Sequence, residues 1–285
     1  MGSAVAHDRI AVFVKPSRPI RLGLWLLNGA AALALALILL PLVLVTWLAF
    51  FRQEIPSFPP EGYSLQWFAA VPANKAFVNG FILSFEVGVT ATIIGLVLAV
   101  PASLAIARRR FAGRGFASSL LLMPLIVPGV VLGASIYVFQ IEAEIATGLP
   151  LLGTTVGLIA AHALIVIPWT SRLVTASLAG FDPTIEEAAK NLGATPWTTF
   201  RRVTLPAIRP GIVAGALFGF VTSFGNLEMS LFLVGPGRTT LPIVILQYLE
   251  WKIDPTIAAV SVIQILLIGT AMLVTDRYVK LSRVV

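Results

Sequence analysis

Two carboxylates stand inside apolar runs of this 285-residue chain, Glu86 within 79–107 and Glu228 within 211–233. An ionised carboxylate in hydrocarbon is costly unless it faces water, a partner or a cavity. At ~1.5 Å per residue, Glu86 lies roughly 10 Å in from one end of its run, and Glu228 sits at a similar depth. Such a pair is suited to attracting a cation that crosses a membrane. The alternative is one acid hydrogen-bonded between helices and one reaching for the interface. Glu86 shares a helical face with Asn79 and Thr90, while Thr222 and Asn226 share a face of the other run. The candidate path residues are therefore Glu86, Thr222, Asn226 and Glu228. Other chemistries lack their residues. Cysteine is absent, which excludes thiol catalysis, disulfides and thiolate metal sites. No glycine is followed by lysine, so no phosphate-cradling loop exists. No Ser-His-Asp grouping supports catalysis, and the chain reads as a non-enzyme without a metal site. His7 falls in a tail expected to be disordered, and His162, inside an apolar run, reads as a hydrogen-bonded helix contact rather than a relay.

A second polar feature is the segment 181–210, FDPTIEEAAKNLGATPWTTFRRVTLPAIRP, with membrane-length apolar runs on both sides. The pattern predicts two short helices joined by a turn. Asp182 caps the first, Pro183 takes its first position, and Glu186 and Glu187 sit at its positive end. Gly193 supplies the left-handed residue that ends it. Thr195 caps the second with Pro196 at its start, and Pro206 is expected to stop it. A charged helix-turn-helix knob between two membrane spans points to a docking site.

Glu187-Ala188-Ala189, Gly193 and Val203-Thr204-Leu205-Pro206 together resemble the EAA loop of ABC importer permeases. Val203 stands where the family pattern has Ile. The flanking ARRRFAGRG and LFLVGPGRTTLP are most similar to the spermidine/putrescine type, and the resemblance runs from about Leu65 to Val274. It implies a type I importer fold, all-α with six transmembrane helices, whose loop inserts into an ATPase subunit. Carried onto this sequence, the coupling residues are Glu186, Glu187, Ala188, Ala189, Gly193, Ala194, Arg201, Leu205 and Pro206. Arg201 and Arg202 would pair with acids on the ATPase or with lipid. The resemblance also implies a second permease, identical or homologous, and a periplasmic binding protein, with ATP and Mg on the partner ATPase and no cofactor here. Polyamine-type permeases commonly carry an acidic pair where this chain reads Ser223-Phe224-Gly225-Asn226. Opine, phosphonate, thiamine and iron-complex cargoes therefore stay open beside polyamines.

The elements that position these residues follow from composition. With 58% hydrophobic and 12% charged residues, an ordinary soluble domain is excluded. Six spans are expected at 24–50, 79–107, 117–139, 154–178, 211–233 and 256–275, after a basic tail over 1–22. The first is read as a retained anchor. Of 20 basic residues, only Arg52, Lys75, Arg238 and Lys252 fall on the side opposite the knob. This bias places both termini and the knob on the cytoplasmic side, and the resemblance implies that the membrane is a bacterial inner membrane. The net charge of +7 then reports topology and contact with anionic lipid, not nucleic acid.

Between these motifs, Trp67 and Phe68 suit the membrane interface and part of 52–78 suits a short interfacial helix. Pro124 and Pro128 predict a kink or break, either shaping a helix or opening backbone toward a pathway. Gly211, Gly215 and Gly219 form a small-residue ridge for close packing, within the subunit or against a second permease. Residues 235–237 predict a turn and Leu241–Trp251 a short amphipathic helix at the outer surface. Two rival functions remain: an ion-coupled transporter relaying through Glu86, Glu228 and His162, and a scaffold that binds a cytosolic partner.

Overall fold

The computed structural model describes residues 21–279, and the side chains of residues 23–277 and Val279 within it. The expected tail over 1–22, with His7, and the C-terminal Lys280 and Arg283 fall almost wholly outside that range, so the sidedness of the termini is not addressed by it. Among the described residues the regular structure is entirely helical. Six helical stretches are long and apolar enough to cross a membrane: Gly23–Leu48, Lys75–Arg108, Gly129–Thr147, Thr155–Ala179, Pro196–Phe224 and Thr256–Arg277.

The chain divides into two compact units at Trp47 and Leu48. The first contains helix α1 (Arg21–Leu48), which is apolar around its whole circumference. A helix of that kind takes lipid or protein, not water, as its solvent.

The second unit begins with an irregular segment and helix α2 (Gln66–Ala73). Trp67 is buried, and its indole N–H donates to the carbonyl of Phe51 at 2.6 Å. Helix α3 (Lys75–Arg108) follows after Asn74, whose side chain accepts from the Ala76 N–H at 2.9 Å. Its 34 residues span about 50 Å, well beyond the ~30 Å hydrocarbon core of a bilayer.

The expected third span is displaced. Helix α4 (Arg114–Leu122) gives way to a 3₁₀ turn at Met123–Leu125, and helix α5 (Gly129–Thr147) starts only after Pro128. Pro124 and Pro128 remove backbone donors four residues apart, and the chain breaks between them. The membrane-length helix is therefore α5, not 117–139. Helix α6 (Thr155–Ala179) is capped by Thr154, whose side chain accepts from Gly157 N–H at 3.1 Å.

The knob comprises helix α7 (Thr184–Asn191), a turn and helix α8 (Pro196–Thr199). Pro206 does not stop the pattern. A π-helical segment at Phe200–Thr204 runs directly into helix α9 (Leu205–Phe224), where the Leu205 N–H donates to the Phe200 carbonyl. The wide turn falls just where Pro206 would otherwise leave an ordinary helical ladder short of a donor. The fifth span consequently runs over Pro196–Phe224 and ends nine residues earlier than the 211–233 reading required. After the non-helical 225–229 come helices α10 (Ser230–Leu233), α11 (Leu241–Trp251) and α12 (Thr256–Tyr278).

Helices α3, α6 and α9 pack together as the centre of this unit. A Cβ on Gly211 would meet Ser177 and the Leu173 carbonyl, on Gly215 Thr170, and on Gly219 Val166. The partners step backward along α6 as the glycines step forward, so the two helices are antiparallel. The glycine ridge thus serves packing within the subunit. Helix α11 is two-faced, with Gln247, Leu249, Glu250 and Trp251 exposed on its later turns. Leu241, Ile243 and Val244 are buried, and the Leu241 N–H donates to Ser84 Oγ of α3 at 2.8 Å. Its first turn obtains from α3 a hydrogen bond that lipid could not supply.

Candidate functional site

Polar side chains gather at two ends of the second unit. At the knob, local chain chemistry sets the shape. Asp182 Oδ1 accepts the Thr184 N–H at 2.9 Å, although the helix starts at Thr184 with Pro183 at the cap, one residue later than expected. That backbone hydrogen bond, with one from the Thr184 side chain, holds the Asp182 carboxyl below its ordinary pKa. At the far end of α7 the Gly193 N–H donates to Lys190 O at 2.9 Å and the Ala194 N–H to Ala189 O at 3.1 Å. These are the paired bonds of a Schellman turn, and Gly193 takes φ +86°, which a residue with a Cβ rarely adopts. Thr195 Oγ1 then accepts the Thr198 N–H at 3.2 Å to start α8.

This frame turns Glu187 and Ala188 outward and leaves Ala189 and Ala194 half-buried. Arg201, Arg202 and Pro206 are exposed and Leu205 is half-buried. Apolar side chains also face out: Leu192 is 90% exposed, Trp197 67% and Ile185 50%. On a polar loop and the first turn of the helix that follows it, such a group marks a protein contact surface. Glu186 behaves differently. Its Oε1 accepts from Arg108 Nη2 at 3.1 Å and from Thr204 Oγ1 at 2.6 Å. The Arg108 guanidinium also lies 5.3 Å from the centre of the Phe181 ring. A cleft of about 690 Å³ opens beside this cluster, lined by Arg108, Arg109, Glu186, Glu187 and Lys190 among others. Arg108 contributed only topology to the sequence reading; its partner lies 78 residues away, and no local signal points to it.

At the opposite end of the helices the sequence reading needs correction. Thr222 lies in the last turn of α9, but Asn226 lies beyond it, so the two do not share a helical face, and Glu228 also follows the end of the helix. Asn226 Oδ1 accepts the Met229 N–H at 3.0 Å, and the Asn226 carbonyl accepts from Ser230 Oγ at 2.8 Å. His162 supports this break from α6, with Nδ1 2.8 Å from Ser223 Oγ and Nε2 3.1 Å from Ser230 Oγ. The histidine is a buried structural tie between α6, α9 and α10.

Glu86 and Glu228 are both exposed and make no hydrogen bond or ion pair among the described residues. Their neighbours in sequence, Val87 and Met229, belong to one buried cluster, so the two acids flank the same packing centre. The Glu228 carboxylate rests against Gly129, where a Cβ would run into its Oε2. The break after α9 therefore meets the break before α5, and a negative side chain sits at the positive end of a 19-residue helix. Asn79, from the expected Glu86 face, lines a separate niche of about 230 Å³ with Arg238 and Gln247.

The model of the binding-protein-dependent transport system inner membrane component family matches residues 91–283. The putrescine transport system permease protein PotI of Escherichia coli K12 is 29% identical over 201 residues, 70% of this chain and 72% of that protein. The putative 2-aminoethylphosphonate transport system permease protein PhnV of Salmonella paratyphi A is 26% identical over 251 residues, covering 88% and 92%. Among solved structures, a bacterial ABC transporter involved in the import of the acidic polysaccharide alginate has a chain with TM-score 0.69 at 15% identity. That match covers 93% of this chain and 99% of the other. At that identity the likeness concerns the fold.

Proposed function

The chain belongs to the binding-protein-dependent transport system inner membrane component family, and from that premise we propose that it forms, with a second permease, the path of a bacterial ATP-driven importer for a small organic cation of the polyamine class. The observation that carries the coupling part is the knob, with a capped turn, exposed Ile185 and Leu192 beyond the spans, and exposed Trp197 at the very start of the fifth. An ATPase subunit is the partner that such a surface serves in an importer. ATP and Mg belong to that partner, since this chain has no phosphate-cradling loop. The basic residues, gathered with the knob, support a cytoplasmic knob and a periplasmic face at 52–74 and 234–255. A periplasmic binding protein delivers cargo there.

In this mechanism, approach of two ATPases draws the paired knobs together and switches the bundle between inward-open and outward-open arrangements. The cargo class is supported by the putrescine permease relative and by two unpaired carboxylates, Glu86 and Glu228, beside one packing centre. Neutral Gly225-Asn226 and the aminoethylphosphonate relative favour a second reading, a zwitterionic amine.

One reconstitution separates these readings. The cognate binding protein is first screened for bound ligand, and the transporter is then placed in liposomes with ATP supplied only on the knob side. Putrescine or spermidine binding, with ATP-dependent uptake toward the knob side, is the expected result. Glu86→Gln and Glu228→Gln should each lower uptake several-fold by removing charge that offsets cargo desolvation. Binding of aminoethylphosphonate alone would replace the polyamine reading. Full uptake by both variants would return the acids to a structural role.

A further inference from the structure

Three elements distant in sequence meet at one oxygen atom. Glu186 Oε1, on α7, accepts from Arg108 Nη2 at the last residue of α3 and from Thr204 Oγ1 at the last residue of the π-helical segment. The pair is not an ordinary surface ion pair. The Arg108 side chain is 26% exposed and that of Glu186 16%, and the guanidinium is also held over Phe181 at the corner between α6 and α7. Fixing one carboxylate from two sides leaves the knob little freedom to turn independently of α3 or α9. Glu187, the next residue, is exposed. Two adjacent acids thus divide their work, one facing out and one facing in.

The other end of α3 carries the second half of the connection. Gly80 lies against Leu241 and Val244, and Ser84 accepts the Leu241 N–H. The helix therefore runs from the knob to the buried first turn of the short helix α11 at the opposite end. Neither the family match nor the relatives assign any of these contacts.

We propose that Arg108, Glu186 and Thr204 form a transmission latch that makes the knob, α3 and the π-helical start of α9 move as one body. The proposal rests on the reading that residues 181–210 dock an ATPase. Arg108 and Thr204 are positioning residues: they touch neither nucleotide nor cargo and act through Glu186. When the latch holds, displacement of α7 is carried along α3 to the seat of α11. When it is released, the knob follows its ATPase while α3 lags, and ATP is hydrolysed with less cargo moved.

The test uses the complete transporter in liposomes and three readouts: ATPase retained on the membrane, ATP hydrolysed, and cargo moved per ATP. Arg108→Gln removes the ion pair and leaves Thr204 on Glu186. It should retain the ATPase and lower cargo per ATP about fivefold, at the low end of measured coupling factors. Glu186→Gln, which keeps an acceptor for Thr204, should show a similar loss. The exchange Arg108→Glu with Glu186→Arg restores an opposite-charge pair and should recover much of the ratio, which a merely structural role would not predict. An unchanged ratio in Arg108→Gln would overturn the latch. So would loss of ATPase in proportion to loss of uptake, because the pair would then only hold the docking surface in shape. Failure of the unmodified chain to retain any ATPase would instead sink the docking reading beneath it.

Discussion

The knob and the break after α9 are both polar intervals next to apolar helices, but they place their polar groups in opposite ways. In the knob, backbone donors and acceptors are satisfied within a few residues, by Asp182, Gly193 and Thr195. Large apolar side chains are left outside. Around Asn226 the local bonds with Met229 and Ser230 are joined by bonds across helices, with His162 reaching Ser223 and Ser230 over 61 and 68 residues. A surface of the first kind can be assembled early and locally and keeps its apolar side chains for a partner. The second kind is complete only when the bundle is assembled, and the acid it leaves unpaired is Glu228. Docking and holding are thus separable in this chain.

The largest test of that separation is His162→Ala. It leaves Ser223 Oγ without its buried partner and opens a void, at a cost of about 2–4 kcal/mol. Thermal melting of the purified subunit should fall clearly while ATPase binding per folded molecule stays level. Loss of docking at unchanged stability would erase the distinction.

Gly193→Val probes the other side. A β-branched residue at φ +86° costs about 1–3 kcal/mol of local strain. ATPase affinity should drop roughly tenfold, while the melting of the helical bundle moves little. A variant that binds and couples normally would show that the turn does not set the docking surface.

The smallest effect concerns Asp182. Its folded pKa is depressed by the Thr184 backbone hydrogen bond, so its stabilising contribution is present above the ordinary Asp range. That contribution fades as pH falls through the depressed value. Hydrogen exchange at the Thr184 N–H should show this pH dependence, and Asp182→Asn should abolish it. Identical profiles for the two would remove Asp182 from the frame of the knob.

Legibility follows the same division. Gly193, Thr195 and Pro196 could be read in sequence because a left-handed residue and an N-cap are decided by immediate neighbours. The packing of Trp67 was not legible because its acceptor, the Phe51 carbonyl, is 16 residues away. The end of α9 was missed because Gly225 terminates it at φ −92°, without the left-handed signature that marked Gly193. The early start of the fifth span was hidden by Pro206, which breaks an α-helical ladder but not one widened by a π turn. Arg108 counted as one of a basic run until folding brought it to Glu186. The six-helix class survived these misreadings because length and apolarity, not exact ends, decide it.

The length of α3 carries a further consequence. A helix of about 50 Å would have to tilt by more than ~50° to hide within a ~30 Å hydrocarbon layer, beyond the usual range. At least one end of α3 therefore stands beyond the hydrocarbon layer, so a single rigid rod links chain outside the lipid to helices packed within it.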